Sequence, residues 1–166
     1  MTAQIGDLLF YQGQRMTICD APLGTYFRLG GAYPEFEPSS TALIRGYVAT
    51  WQLLDDRLYL VAIQGWLSNG EDASLESVFP GYPERVFAHW YSGRIRVPRG
   101  KLLKYVHAGY ASIYERDLLL DFERGVLVAS MEKHNGVSDT PDAPEGYGVG
   151  AFTVFPRPGA QEGAGE

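Results

Sequence analysis

Apolar and polar residues alternate over short runs through most of this chain, and clusters of Gly, Pro, Asp and Ser separate the runs. A period of two places successive side chains on opposite faces of a strand, so the pattern predicts strands joined by turns. Leu8 to Tyr11 and Arg15 to Ile18 flank Gln12-Gly13-Gln14 and predict a first hairpin. Tyr47 to Leu54 and Leu58 to Ile63 predict a second, turning at Asp55-Asp56-Arg57. Tyr47, Ala49, Trp51 and Leu53 share one face of the first strand. The second is apolar almost throughout, as a central strand covered on both faces would be. Val86 to Tyr91 and Arg94 to Val97 flank Ser92-Gly93, a two-residue turn signal. Ser112 to Glu123 puts Tyr114, Arg116, Leu118, Leu120 and Phe122 on one face and Glu115, Asp117, Asp121 and Glu123 on the other. Glu123-Arg124-Gly125 turns into a last strand, Val126 to Ala129.

Two stretches read as helical. Asp72 to Phe79 starts with Asp72 or Ser74 as a cap and stops at Pro80-Gly81. Lys101 to His107 carries Leu102, Leu103 and Val106 at helical spacing. Residues 20–41, rich in Gly, Pro and Ser, predict a long connection pinned by Tyr26, Phe27, Tyr33 and Phe36. The fold class that follows is mainly β: about eight to ten strands in an antiparallel sheet, sandwich or partly closed barrel, with one or two short helices. The expected core is Leu9, Tyr47, Trp51, Leu58, Leu60, Ile63, Phe87, Trp90, Ile95, Leu118, Leu120, Phe122 and Leu127. Residues 1–134 form a single β-rich domain in this reading. From Asn135 to Glu166 the chain holds seven Gly and four Pro, and reads as an extension. Ala151 to Phe155 is a candidate docked strand within it, and residues 159–166 a solvated tail.

Charge narrows the partners. The 166 residues carry a net charge of −6, which disfavours general nucleic-acid binding because phosphate recognition needs a positive footprint. Residues 81–110 run against that sign, with Arg85, Arg94, Arg96, Arg99, Lys101 and Lys104 against Glu84 alone. Cys19 is the single cysteine, so no intramolecular disulfide forms. No apolar run approaches the roughly 18 residues of a membrane helix, and the first residues lack the pattern of a secretory signal. The expectation is a cytoplasmic protein without membrane contact.

Signatures of chemistry are scarce. The sequence has no GxSxG elbow, no GxxxxGK[ST] loop and no HExxH. Gly146, Gly148 and Gly150 alternate without a helix behind them, so no phosphate cradle is expected. His89, His107 and His134 lie too far apart to predict a metal centre. Neither a cofactor nor a metal is expected.

Three segments stand out: Arg45 to Trp51, Val86 to Gly100, and Tyr105 to Asp117. They resemble a family of small uncharacterised bacterial proteins that carry RGY-xxx-W, FAxWxSGxIRxPxG and YVHxGYxSxYExDL patterns. The resemblance spans roughly residues 42–130, and some such proteins are linked to toxin–immunity loci. It implies a small cytosolic protein that binds another protein.

The residues themselves offer several candidate contacts. Arg116 shares an apolar strand face, so it predicts either a buried pair, with Glu76, Asp55 or a backbone carbonyl, or an anion clamp beside His107 and Tyr110. His89 and Tyr91, beside Arg94 and Arg96, predict an aromatic and cationic surface suited to protein recognition. Glu115, Asp117, Asp121 and Glu123 predict a flat acidic patch that would steer a basic effector. The expectation is therefore a non-catalytic binding protein, most simply an immunity-type inhibitor. The alternative is a small-molecule-binding or enzymatic β-domain whose cleft gathers Arg45, His89, His107, Tyr110, Glu115 and Arg116.

Overall fold

A computed structural model describes residues 3–147. The chain order is β1 (Asp7–Tyr11), β2 (Gln14–Ile18), α1 (Pro22–Arg28), β3 (Tyr47–Leu54), β4 (Arg57–Gly65), α2 (Leu75–Val78), β5 (Val86–Phe87), β6 (Gly93–Lys104), β7 (Ile113–Glu123) and β8 (Val126–His134). The eight strands form one sheet in the order β2-β1-β3-β4-β8-β7-β6, with β5 paired to β4. Every pairing is antiparallel except β1 with β3, and the crossover between those two contains α1. The mainly β class is thus the observed one, and the sheet is not closed into a barrel.

Three hairpins turn on two residues with positive φ: Gln12-Gly13 (52° and 75°), Asp55-Asp56 (51° and 60°) and Arg124-Gly125 (50° and 80°). Such turns match the right-handed twist of the strands they join. The Ser92-Gly93 hairpin does not form. Chain 88–91 instead makes a compact turn, in which Tyr91 N donates to Ala88 O at 3.0 Å, and β6 pairs with β7. Lys101 to His107 is not a helix either. β6 runs on to Lys104 with Leu102 in register with Tyr114, so cross-strand bonding overrides the local apolar spacing. The helix at α2 does form behind Ser74, whose N–H donates to Ser77 Oγ at 3.0 Å.

Trp51, Leu9, Ile18, Leu58, Leu60, Ile95 and Leu120 lie at the centre of the core. Trp90, Leu118 and Leu127 are half-buried against it, and Phe87 is half-buried against the Tyr59 ring. At one end α1 and α2 bring Tyr26 and Phe79 onto Trp90, with ring centroids 5.0 and 5.6 Å away. The body does not stop at Asn135. Leu102 N donates to Pro144 O, Gly146 N to Gly100 O, and the buried Tyr147 to Gln4 O. Residues 135–147 belong to the body because the outer edge of β6 satisfies their backbone groups. The proposed strand at Ala151 to Phe155 and the tail lie outside the described residues.

Candidate functional site: an arginine-lined groove at the open seam

Most charges in the three conspicuous segments hold the fold together. Asp7, at the start of β1, is fully buried. It accepts hydrogen bonds from Arg45 Nη2 (2.6 Å), Ala49 N (3.0 Å) and Trp51 Nε1 (3.0 Å). Arg45 also donates to Ile5 O at 2.6 Å and reaches the Tyr110 hydroxyl at 3.4 Å. Burial opposes the Arg45 charge, but Asp7, Tyr110 and Tyr47 together outweigh it and hold the guanidinium pKa above its ordinary value. Burial pushes the Tyr110 hydroxyl up to about 12, so it stays neutral. The Arg45 to Trp51 string therefore fastens β3 to β1 through one buried carboxylate.

A second network sits on the outer face of β6 and β7. Arg96 donates to Asp117 Oδ1 at 3.0 Å and to the carbonyl of Tyr110, and Asn135 Nδ2 donates to Asp117 Oδ2 at 3.0 Å. Arg94 grips Asp121 with two bonds of 2.6 and 3.0 Å. Glu115 accepts from Lys101 N (2.7 Å) and Ser138 N (2.9 Å). These contacts correct the expected acidic patch. Asp117 is buried, Asp121 is neutralised by the register that sets it opposite Arg94, and Glu115 clamps two backbone amides. Among the four, Glu123 is left exposed.

The aromatic and cationic surface is corrected as well. Tyr91 is 3% exposed, and its hydroxyl donates to Asp20 Oδ2 at 2.5 Å. Burial, and then this bond, push its pKa up. The tight turn at 88–91 swings its ring onto Phe122 rather than out beside His89. His89 itself is exposed. His107 is exposed too, with Nδ1 2.9 Å from the Tyr105 hydroxyl. The structure brings Arg45 to Tyr110 but leaves His89, His107, Glu115 and Arg116 elsewhere, in separate contacts.

Arg116 is exposed, not buried in an ion pair. It shares its face of β7 with Tyr114, Leu120 and Phe122, which are buried. The depth along the strand decides the outcome. The main core cluster ends beneath the pair Val97↔Leu118, and Arg99↔Arg116 is the next step beyond it, before Tyr114 is buried separately against Tyr147. Two like charges thus stand directly opposite each other, a disfavoured arrangement unless something neutralises them. Neither makes an ion pair among the described residues.

These two arginines line a groove of about 600 Å³ where the sheet fails to close. β2 supplies Arg15, Met16 and Thr17; β6 supplies Val97, Pro98 and Arg99; Glu145 and Tyr147 complete one wall. Arg15 also lacks an ion pair among the described residues, as does Glu145. The Tyr147 hydroxyl is committed to Gln4 O, and burial raises its pKa. A guanidinium offers donors and no acceptor, so three of them equip the groove to bind an anion. The sequence marks Arg99 only as part of the basic stretch 81–110, and does not single out Arg15. The signal at Arg99, a like charge facing Arg116, appears only once the pairing of β6 and β7 is known, and Arg15 joins them only through the fold.

Among the described residues, no group of three or more His, Cys, Asp and Glu could hold a metal, and no helix is long and apolar enough to cross a membrane. No protein-family model, curated protein or solved structure matches the chain.

Proposed function

We propose that this chain is a non-catalytic binding protein of the immunity-inhibitor kind, acting in the cytoplasm, and that it holds an acidic element of its partner in the seam groove. The observation that carries this reading is the facing pair Arg99 and Arg116, without an ion pair among the described residues, with Arg15 across the seam and Glu145 as the one acid lining the groove. Three guanidinium groups that make no ion pair among the described residues, Arg99 reaching Met16 Sδ at 3.9 Å, suit fork-like recognition of carboxylates. The enzymatic alternative loses its support, because its six residues do not line one cleft. The acidic-patch route to a basic effector also falls away with the pairing of Asp117 and Asp121.

The test is co-purification with the product of the adjacent gene. A one-to-one complex that is lost in the Arg99→Glu, Arg116→Glu double variant is the expected result, with circular dichroism showing that the variant folds. A complex that survives both reversals unweakened overturns the groove as the contact.

A further inference from the structure

We propose that the groove receives an extended acidic peptide segment, added as a strand along the free edge of β2. This rests on the groove being the recognition site, and adds the binding mode and the ligand class. β2 bonds to β1 on one side and meets β6 at its end, where Cys19 N donates to Arg96 O at 2.8 Å. The N–H and C=O of a strand residue point to the same side, and every second residue shares that side. Arg15 and Thr17 therefore present the same edge as Cys19. No backbone bond from either crosses to β6 among the described residues.

The opposite wall explains why the seam stays open. The β6 edge is occupied at Arg96 by Cys19 and at Gly100 by Gly146 N, 2.8 Å from its carbonyl. Between these fixed points stands Pro98, which has no N–H to offer. β2 and β6 cannot zip together through that position with a full ladder, so among the described residues the β2 edge keeps donors and acceptors available at Arg15 and Thr17. An exposed edge of this kind is a template for strand addition.

Charge selects the sequence of the added strand. Arg99 and Arg116 lie on the core side of their strands, in line with Val97 and Leu118. Arg15 lies on the other face of β2 from Met16, which packs on the core. A strand laid between them meets guanidinium groups on both of its faces. Adjacent acidic residues would find partners either way, while an apolar residue would settle on Met16 and Val97.

The probe is an acetylated and amidated hexapeptide, Val-Glu-Glu-Val-Glu-Glu, titrated into the full chain by calorimetry. Two copies, N-methylated on one or the other alternate set of amides, are compared with it, and inorganic pyrophosphate is titrated separately. The expected result is that one methylated copy loses affinity by about tenfold or more while the other does not. The Arg15 and Thr17 amides should also gain hydrogen-exchange protection in the complex. If both methylated copies bind like the parent and those amides stay unprotected, strand addition is overturned, although the groove still binds anions. If neither peptide nor pyrophosphate binds, or if Arg99→Gln and Arg116→Gln leave binding unchanged, the recognition site itself is refuted.

Discussion

Asp7 is where the polar contacts of the core converge, and its removal would strand a guanidinium. Its carboxylate is fully buried and takes three donors, while the Arg45 side chain is only 16% exposed. Breaking a buried pair by deleting one partner leaves the other charge uncompensated in a medium that solvates it poorly. Asp7→Ala is expected to lower the unfolding free energy by about 3–5 kcal/mol. A urea midpoint equal to that of the wild type would show that Arg45 does not depend on Asp7. Glu115 gives a different signature. Hydrogen bonds from the Lys101 and Ser138 amides hold its pKa below the ordinary 4.5. Folding then favours the ionised carboxylate, so its contribution is complete above pH 4.5 and is lost as the pH falls through the lowered native value. Glu115→Gln should flatten the acid limb of a stability–pH curve in that window and leave its slope near neutrality unchanged. An acid limb of unchanged slope would contradict the clamp.

At the scale of the elements, the β6–β7 ladder runs past the core and carries its charges with it. Arg99 and Arg116 oppose each other there, and neither makes an ion pair among the described residues. Arg116→Gln relieves like-charge repulsion at an exposed site. Its expected effect is therefore within about 0.5 kcal/mol of neutral, or slightly stabilising. A loss of several kcal/mol on thermal or urea unfolding would reveal a buried partner. The sequence reading placed Arg116 on the correct face, because alternation reports the side of a strand. It missed the exposure, because alternation carries nothing about where along a strand the neighbouring layer ends. The hairpins at Gln12-Gly13 and Asp55-Asp56 were legible for a local reason: Gly13, Asp55 and Asp56 are residues that tolerate positive φ. The strand character of 101–104 was not legible, since it depends on Tyr114 and Pro144, residues far along the chain. Asp7 escaped notice for the same reason. Nothing in its neighbours shows that Ala49 and Trp51 will point their donors at it.

Over the whole molecule two electrostatic scales oppose each other at the groove. The chain carries a net charge of −6, so an acidic ligand is repelled at long range. The three arginines attract it only within a few ångströms, where their bonds are made. Salt screens both effects, but the repulsion acts on approach and the attraction on the bound state. At 0.1 M ionic strength the screening length is about 10 Å, so added salt removes the repulsion felt on approach before it weakens the contacts made in the groove. Raising the salt should therefore leave the association rate of an acidic peptide unchanged or increase it, while the dissociation rate climbs and the affinity falls. That pattern is the reverse of ordinary steering, in which salt mainly slows association. Stopped-flow kinetics at several salt concentrations would read it directly. An association rate that drops steeply with salt while dissociation stays constant would mean that the ligand is guided by a broad cationic surface, and would remove the seam groove as the place where its charge is recognised.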